Sequence, residues 1–213
     1  MRAQKRGRPP SLTDTQIVDA VLKLVAKARF EDVSMRAVAS ELGTSVMTLY
    51  NYVPSKDALH DLVVNHVLRP VRVPGPEEGT WEERICQLER DARRALAAHP
   101  GMSLQGRRDV APEQSGRLAE GVLSILASGG FGPDEAALIF ATIYTFVTGQ
   151  LEVDAMQARS GQIEATLAGV MEPARLSREE AFEFGLDAII EGLKAKIDRK
   201  RSRRTTERRR SRS

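Results

Sequence analysis

The stretch from Met35 to Val53, MRAVASELGTSVMTLYNYV, concentrates residue types that read the edges of nucleic-acid bases. If the segment after Gly43 is helical, Thr44, Ser45, Thr48, Asn51 and Tyr52 take the polar face, while Val46, Leu49 and Val53 take the other. An asparagine amide can bond a base edge twice, with a preference for adenine, and a threonine can offer a hydroxyl or a methyl. Tyr50 and Tyr52 can donate to phosphate oxygens or meet a thymine methyl, and Lys56 can neutralise a phosphate. Arg36, one helix earlier, is placed to reach the backbone or a base. Amides at the starts of these short helices can hold phosphates as well.

Such a face needs a scaffold. Ala39 stands where two short helices must cross and only a small side chain fits, and Gly43, four residues on, suits a tight turn with positive φ. Val38, Leu42 and Leu49 are apolar where the helices must pack. The pattern is that of a helix-turn-helix, whose second helix enters the major groove. Start signals surround it. Thr13 with Gln16, Thr80 with Glu83 and Ser177 with Glu180 match the capping box, and Ser34, Ser45 and Ser55 are further N-caps. Periodicity predicts helices over about 14–28, 35–41, 45–51, 55–68, 80–98, 112–128, 133–159 and 178–196, with a loop over 160–176. The segment RPVRVPGPEEG, 69–79, cannot continue a helix and marks a domain boundary.

Composition agrees with an all-α chain. Leu, Ala, Glu and Arg dominate its 213 residues, and aromatics are only 5%. The net charge of +3 hides an asymmetry: +3 over residues 1–70, −8 over 71–198 and +8 over 199–213. A basic N-terminal module on an acidic body implies that the first module meets a polyanion. Cys86 is the only cysteine, so no intrachain disulfide forms, and it reads as a small apolar helix residue in a chain expected in the cytoplasm. The N-terminus has no apolar signal core. The uncharged stretch 136–151 falls short of the ~20 residues that span a bilayer, so no membrane is expected. Walker, dinucleotide, H-E-x-x-H and C-x-x-C motifs are absent. Acidic pairs such as Glu31-Asp32 and Glu179-Glu180 sit near helix starts, where they suit the dipole. No enzyme activity, cofactor or metal is expected.

The words VSMRAVASELGTSVMTLYNYVPSKDALHDLVVNHVL, 33–68, resemble the N-terminal domain of tetracycline-repressor-type regulators, through Thr48, Leu49, Tyr50 and Lys56 with Leu59 following. Trp81 opening a helix, the His99-Pro100-Gly101 break, GFGPDEA, IYTFVTGQLEVD and AFEFGLDAIIEGLKAKI are similar to the tetracycline-repressor subgroup. The resemblance implies three DNA-binding helices, a fourth leading to an effector domain, a homodimer paired through its last two long helices, and a small-molecule effector that releases a palindromic operator. Helix 136–151, apolar nearly all round, independently calls for a partner. For the effector cavity the expected lining is Leu88, His99, Met102, Leu104, Phe140 and Tyr144.

The domains expected are a basic disordered arm (1–10), a helix-turn-helix DNA-binding domain (11–68), a helical ligand-binding and dimerisation domain (80–198) and a basic disordered tail (199–213). The favoured reading is a ligand-responsive repressor acting on double-stranded operator DNA. Two others compete: a non-specific architectural protein using its basic ends, and a helical small-molecule-binding or enzymatic bundle with an incidental helix-turn-helix.

Overall fold

The computed structural model describes residues 12–102, 112–160 and 177–210. The described chain is helical and contains no strand. Helix α1 covers Asp14–Val25, α2 Met35–Glu41, α3 Val46–Tyr52 and α4 Lys56–Leu68. Beyond the linker come α5 (Trp81–Ala97), α6 (Glu113–Ser128), α7 (Pro133–Ser160) and α8 (Arg178–Arg210).

The caps work as their residue types dictate. Thr13 and Thr80 complete capping boxes with Gln16 and Glu83, and the Ser177 hydroxyl accepts from the Glu180 amide at 3.1 Å while Glu180 returns the bond to the Ser177 amide. Ser34, Ser45 and Ser55 accept from the amides of Ala37, Thr48 and Ala58. Helix α1 stops at Val25 rather than near Ala28, because the following residues turn to meet Phe30 and its short 3-10 turn, Phe30–Asp32.

One apolar core runs from Ile17 in α1 to Ile197 in α8. The linker 69–79 takes part in it. Val71 is buried, Arg72 forms a two-pronged ion pair with Glu78, and buried Arg84 donates to the Pro74 carbonyl at 3.1 Å. The joint between the two helical groups is therefore ordered, although no long helix crosses it.

The last helix corrects the sequence reading. Where a disordered tail is predicted from residue 199, the backbone stays helical to Arg210. Arginine and lysine are good helix formers, and no Gly or Pro interrupts the run after Gly192. Cationic side chains also suit the negative end of a helix dipole. The arm at residues 1–10 lies outside the described residues.

Helix α7 includes a 23-residue stretch, Pro133–Ala155, that is long and apolar enough to cross a bilayer by length and composition, with 28% of its most apolar window buried. Its end is tied into the protein instead. Asp154 is buried and accepts from Arg93 of α5 at 2.9 Å, and Arg93 reaches Glu179 of α8 at 2.7 Å while its guanidinium lies 4.6 Å from the Phe182 ring centroid. This network, buried at Arg93 and Asp154 and open to solvent at Glu179, joins α5, α7 and α8, and each charge in it has a counter-charge.

Candidate functional site

Leu49, fully buried, anchors α3 against the N-terminal helices, with Val53 buried behind it and Val46 half-buried beside it. Ala39 of α2 is buried at the crossing. The turn is closed by two backbone bonds, from Gly43 to the Ser40 carbonyl (3.0 Å) and from Thr44 to the Ala39 carbonyl (2.9 Å). Gly43 has φ of 64°, the left-handed region that a side-chain-bearing residue occupies only with strain.

With Leu49 inward, the opposite side of α3 faces solvent. Tyr50, Asn51 and Tyr52 are exposed, as are Ser45 and Arg36, while Thr44 and Thr48 are half-exposed. The eight expected base and phosphate contacts are not equally free. Ser45 caps the helix, and its hydroxyl lies 2.8 Å from that of Thr48, so these two share a hydrogen bond before any ligand arrives. The Lys56 ammonium donates to the Glu31 carbonyl and stands 5.5 Å from the Phe30 ring centroid, so it braces the 3-10 turn. It retains further donors for a phosphate, since an ammonium carries three. Met47, 72% exposed on the same short helix, escaped the sequence reading because that reading sought polar residues. Its signal was there: an apolar residue one position after the inward Val46 must point elsewhere on a helix. A methionine there can meet a thymine methyl.

A second site lies among α4, α5, α6 and α7. A cavity there encloses about 580 Å³ of non-atom space, its open mouth included. Leu88, Phe140 and Tyr144 line it as the sequence suggests, with the two rings stacked at 5.9 Å. Leu68 of α4 and Leu96 of α5 close it on the side of the N-terminal helices. His99 and Met102 are not among its lining, and Leu104 lies outside the described residues. The cause is the turn after α5, which folds back towards α1. There the Phe30 amide donates to the Gly101 carbonyl at 2.9 Å, and the His99 and Met102 backbones bond within the turn. Burial, with His66 nearby, lowers the His99 pKa.

Sequence reasoning missed the polar wall. Glu89, Ser115 and Thr148 also line the cavity. The Thr148 hydroxyl already donates to the Tyr144 carbonyl at 2.7 Å. Glu89 is only 9% exposed, and among the described residues it has no hydrogen-bond or ion-pair partner. Burial alone pushes its carboxyl up to about 7. Its position between Ile85 and Ala92 on the apolar stripe of α5 was legible, but whether a protein cation would face it was not.

Two family models match the chain: the tetracyclin repressor-like C-terminal domain over residues 73–197, and the tetR family of bacterial regulatory proteins over residues 17–63. The chain belongs to the tetracycline-repressor family. Among curated members it is 29% identical over 227 residues to the HTH-type transcriptional repressor DrrR1 of Streptomyces coeruleorubidus, covering 94% of this chain and 84% of that protein. It is 27% identical over 196 residues to the class E tetracycline repressor protein of Escherichia coli, covering 87% and 92%. Among solved structures of the family, Streptomyces coelicolor ActR in complex with actinorhodin matches with a TM-score of 0.68 at 31% identity, over 86% of this chain and 97% of that one. Its family makes the chain a transcriptional regulator rather than an enzyme.

Proposed function

We propose that this regulator is a repressor that binds a palindromic operator as a homodimer and is released by a small-molecule effector, in the cytoplasm. Residues 11–68 serve as its DNA-binding domain and 80–198 as its effector-binding and dimerisation domain. The observation that carries the reading is α3: a helix pinned by buried Leu49 whose opposite side is open to solvent. In this role Asn51 reads a base edge, Thr48 and Met47 contribute methyl contacts, and Tyr50, Tyr52, Ser45, Thr44, Arg36 and Lys56 meet the backbone around the groove.

Dimerisation supplies the second recognition helix that a two-fold operator needs. Leu138 of α7 and Phe184 of α8 are 71% and 79% exposed in one protomer. Large apolar side chains left in water on two adjacent helices favour a partner, and a four-helix bundle with the twin helices buries them. Gly185 lets the Phe146 ring of α7 lie directly on α8.

The cavity has a route to the DNA. Leu68 forms part of its wall and is the last residue of α4, whose first residue, Lys56, braces the turn before the helix-turn-helix. Asn65 of α4 also accepts from the Gln114 amide at the start of α6. An effector that displaces Leu68 therefore moves α4, and with it the angle at which α3 is presented. That ActR has been solved in complex with actinorhodin supports a small-molecule effector for this chain.

Selection of bound sequences from a random duplex pool tests the reading. One palindromic site protected in a footprint is expected, with binding that survives deletion of residues 1–10 and 199–213. Binding without sequence preference, lost with those ends, establishes the architectural alternative instead.

A further inference from the structure

We propose that the effector is an amphipathic organic cation: a ring-bearing apolar molecule with one protonated amine that pairs with Glu89 in the cavity. The inference rests on the regulator reading above and specifies the ligand class of its effector cavity.

Glu89 is the reason. A carboxyl beside Leu88, Ala92, Leu118 and Phe140 is almost wholly withdrawn from water, and among the described residues it has no hydrogen bond and no cation. Elsewhere on the same helix Arg93 neutralises the buried carboxylate of Asp154. An isolated buried carboxylate is costly and gives nothing to the fold, so a group retained there has a partner that arrives from outside. The other polar walls do not compete for the role. The Thr148 hydroxyl is spent on the Tyr144 carbonyl, and Ser115 is a small neutral group. An ammonium supplies the missing counter-charge, and the apolar remainder of the cavity takes a ring. An anionic effector would meet the carboxylate as a like charge.

The charge balance has a signature. With the carboxyl of the empty cavity raised to about 7, much of it carries a proton near neutrality. Binding an ammonium drives that proton to the buffer, so complex formation at pH 7 releases on the order of half a proton per site. A neutral donor ligand releases none.

Three probes of matched shape test this on the full chain: 1-naphthylmethylamine, 1-naphthalenemethanol and 1-naphthaleneacetate, followed by calorimetry in buffers of different ionisation enthalpy. The amine is expected to bind at least about tenfold more tightly than the alcohol, the acetate more weakly than either, and the amine to release protons. In Glu89→Gln the amine's advantage over the alcohol and its proton release disappear, while the alcohol still binds. Equal binding of amine and alcohol, preference for the acetate, no binding by any probe, or an amine preference that survives in Glu89→Gln overturns the proposal. The random-pool selection on the wild-type chain keeps the two readings apart. Loss of sequence-specific DNA binding refutes the regulator reading, and charge-blind binding with DNA recognition intact refutes only the cation.

Discussion

Replacing Glu89 with glutamine keeps the shape of the cavity wall and removes its ionisable proton. In the folded chain the carboxyl is raised from 4.5 to about 7. At about 1.4 kcal/mol per pKa unit, that gap corresponds to roughly 3 kcal/mol. The sign follows from which state holds the proton. A raised carboxyl pKa means that the folded chain binds the proton more tightly, so protonation favours the fold. Below pH 4.5 both states are protonated and the charge costs nothing. From there the wild type loses stability as pH rises, and the loss levels off above pH 7, where both states are ionised. Glu89→Gln has no such slope. The two proteins should be close to equal near pH 4.5 and diverge to about 3 kcal/mol in favour of the variant by pH 8. Urea unfolding followed by circular dichroism at several pH values measures the difference. Protein concentration must be held constant, because the stability of the proposed homodimer depends on it. Parallel pH profiles for the two proteins, or a variant less stable at pH 8, refute the view that Glu89 is buried without a partner.

Asn51→Ala should leave the unfolding curve within about 0.5 kcal/mol of wild type, since the side chain is exposed, and should cost about 1–3 kcal/mol of discrimination at one operator position. Competition among base-substituted operators reads this, and an equal loss on every sequence counts against base reading by Asn51. Gly101→Ala places a Cβ against the Val25 and Ala28 carbonyl oxygens, so about 1–3 kcal/mol of stability should be lost, together with operator affinity. Unchanged melting would show that this contact between the turn and α1 does not form. Leu138→Glu with Phe184→Glu introduces charges on the exposed apolar sides of α7 and α8 and should convert the proposed dimer to monomer in sedimentation, abolishing operator binding. A dimer that persists through both changes places the interface elsewhere.

The helix-turn-helix was legible in the sequence because its determinants are local. A cap bonds an amide three residues away, Gly43 sets its own φ, and helical periodicity places Leu49 opposite the exposed face. The same local rules located the start of every α-helix in the described chain to within a residue, though not the short 3-10 turns. They missed the end of α8, since a basic run reads as unfolded by composition although its residues favour helix. They also passed over Met47, whose exposure follows from periodicity while its residue type argues for the core.

Tertiary structure decided the rest. Leu88, Phe140 and Tyr144 converge on one cavity only because α5 and α7 pack beside α4 and α6, and no spacing within one helix specifies that convergence. His99 and Met102 follow the chain into a turn against α1, a contact made across about seventy residues of sequence. Arg93 and Glu89 lie four residues apart on the same side of α5, and nothing local tells which of the two meets a counter-charge. Packing brings Asp154 and Glu179 to the arginine and, among the described residues, no cation to the glutamate. Sequence dictates which groups carry charge and which way a helix turns them. Only the fold determines how much water and which counter-charge each one keeps, because both depend on segments distant along the chain.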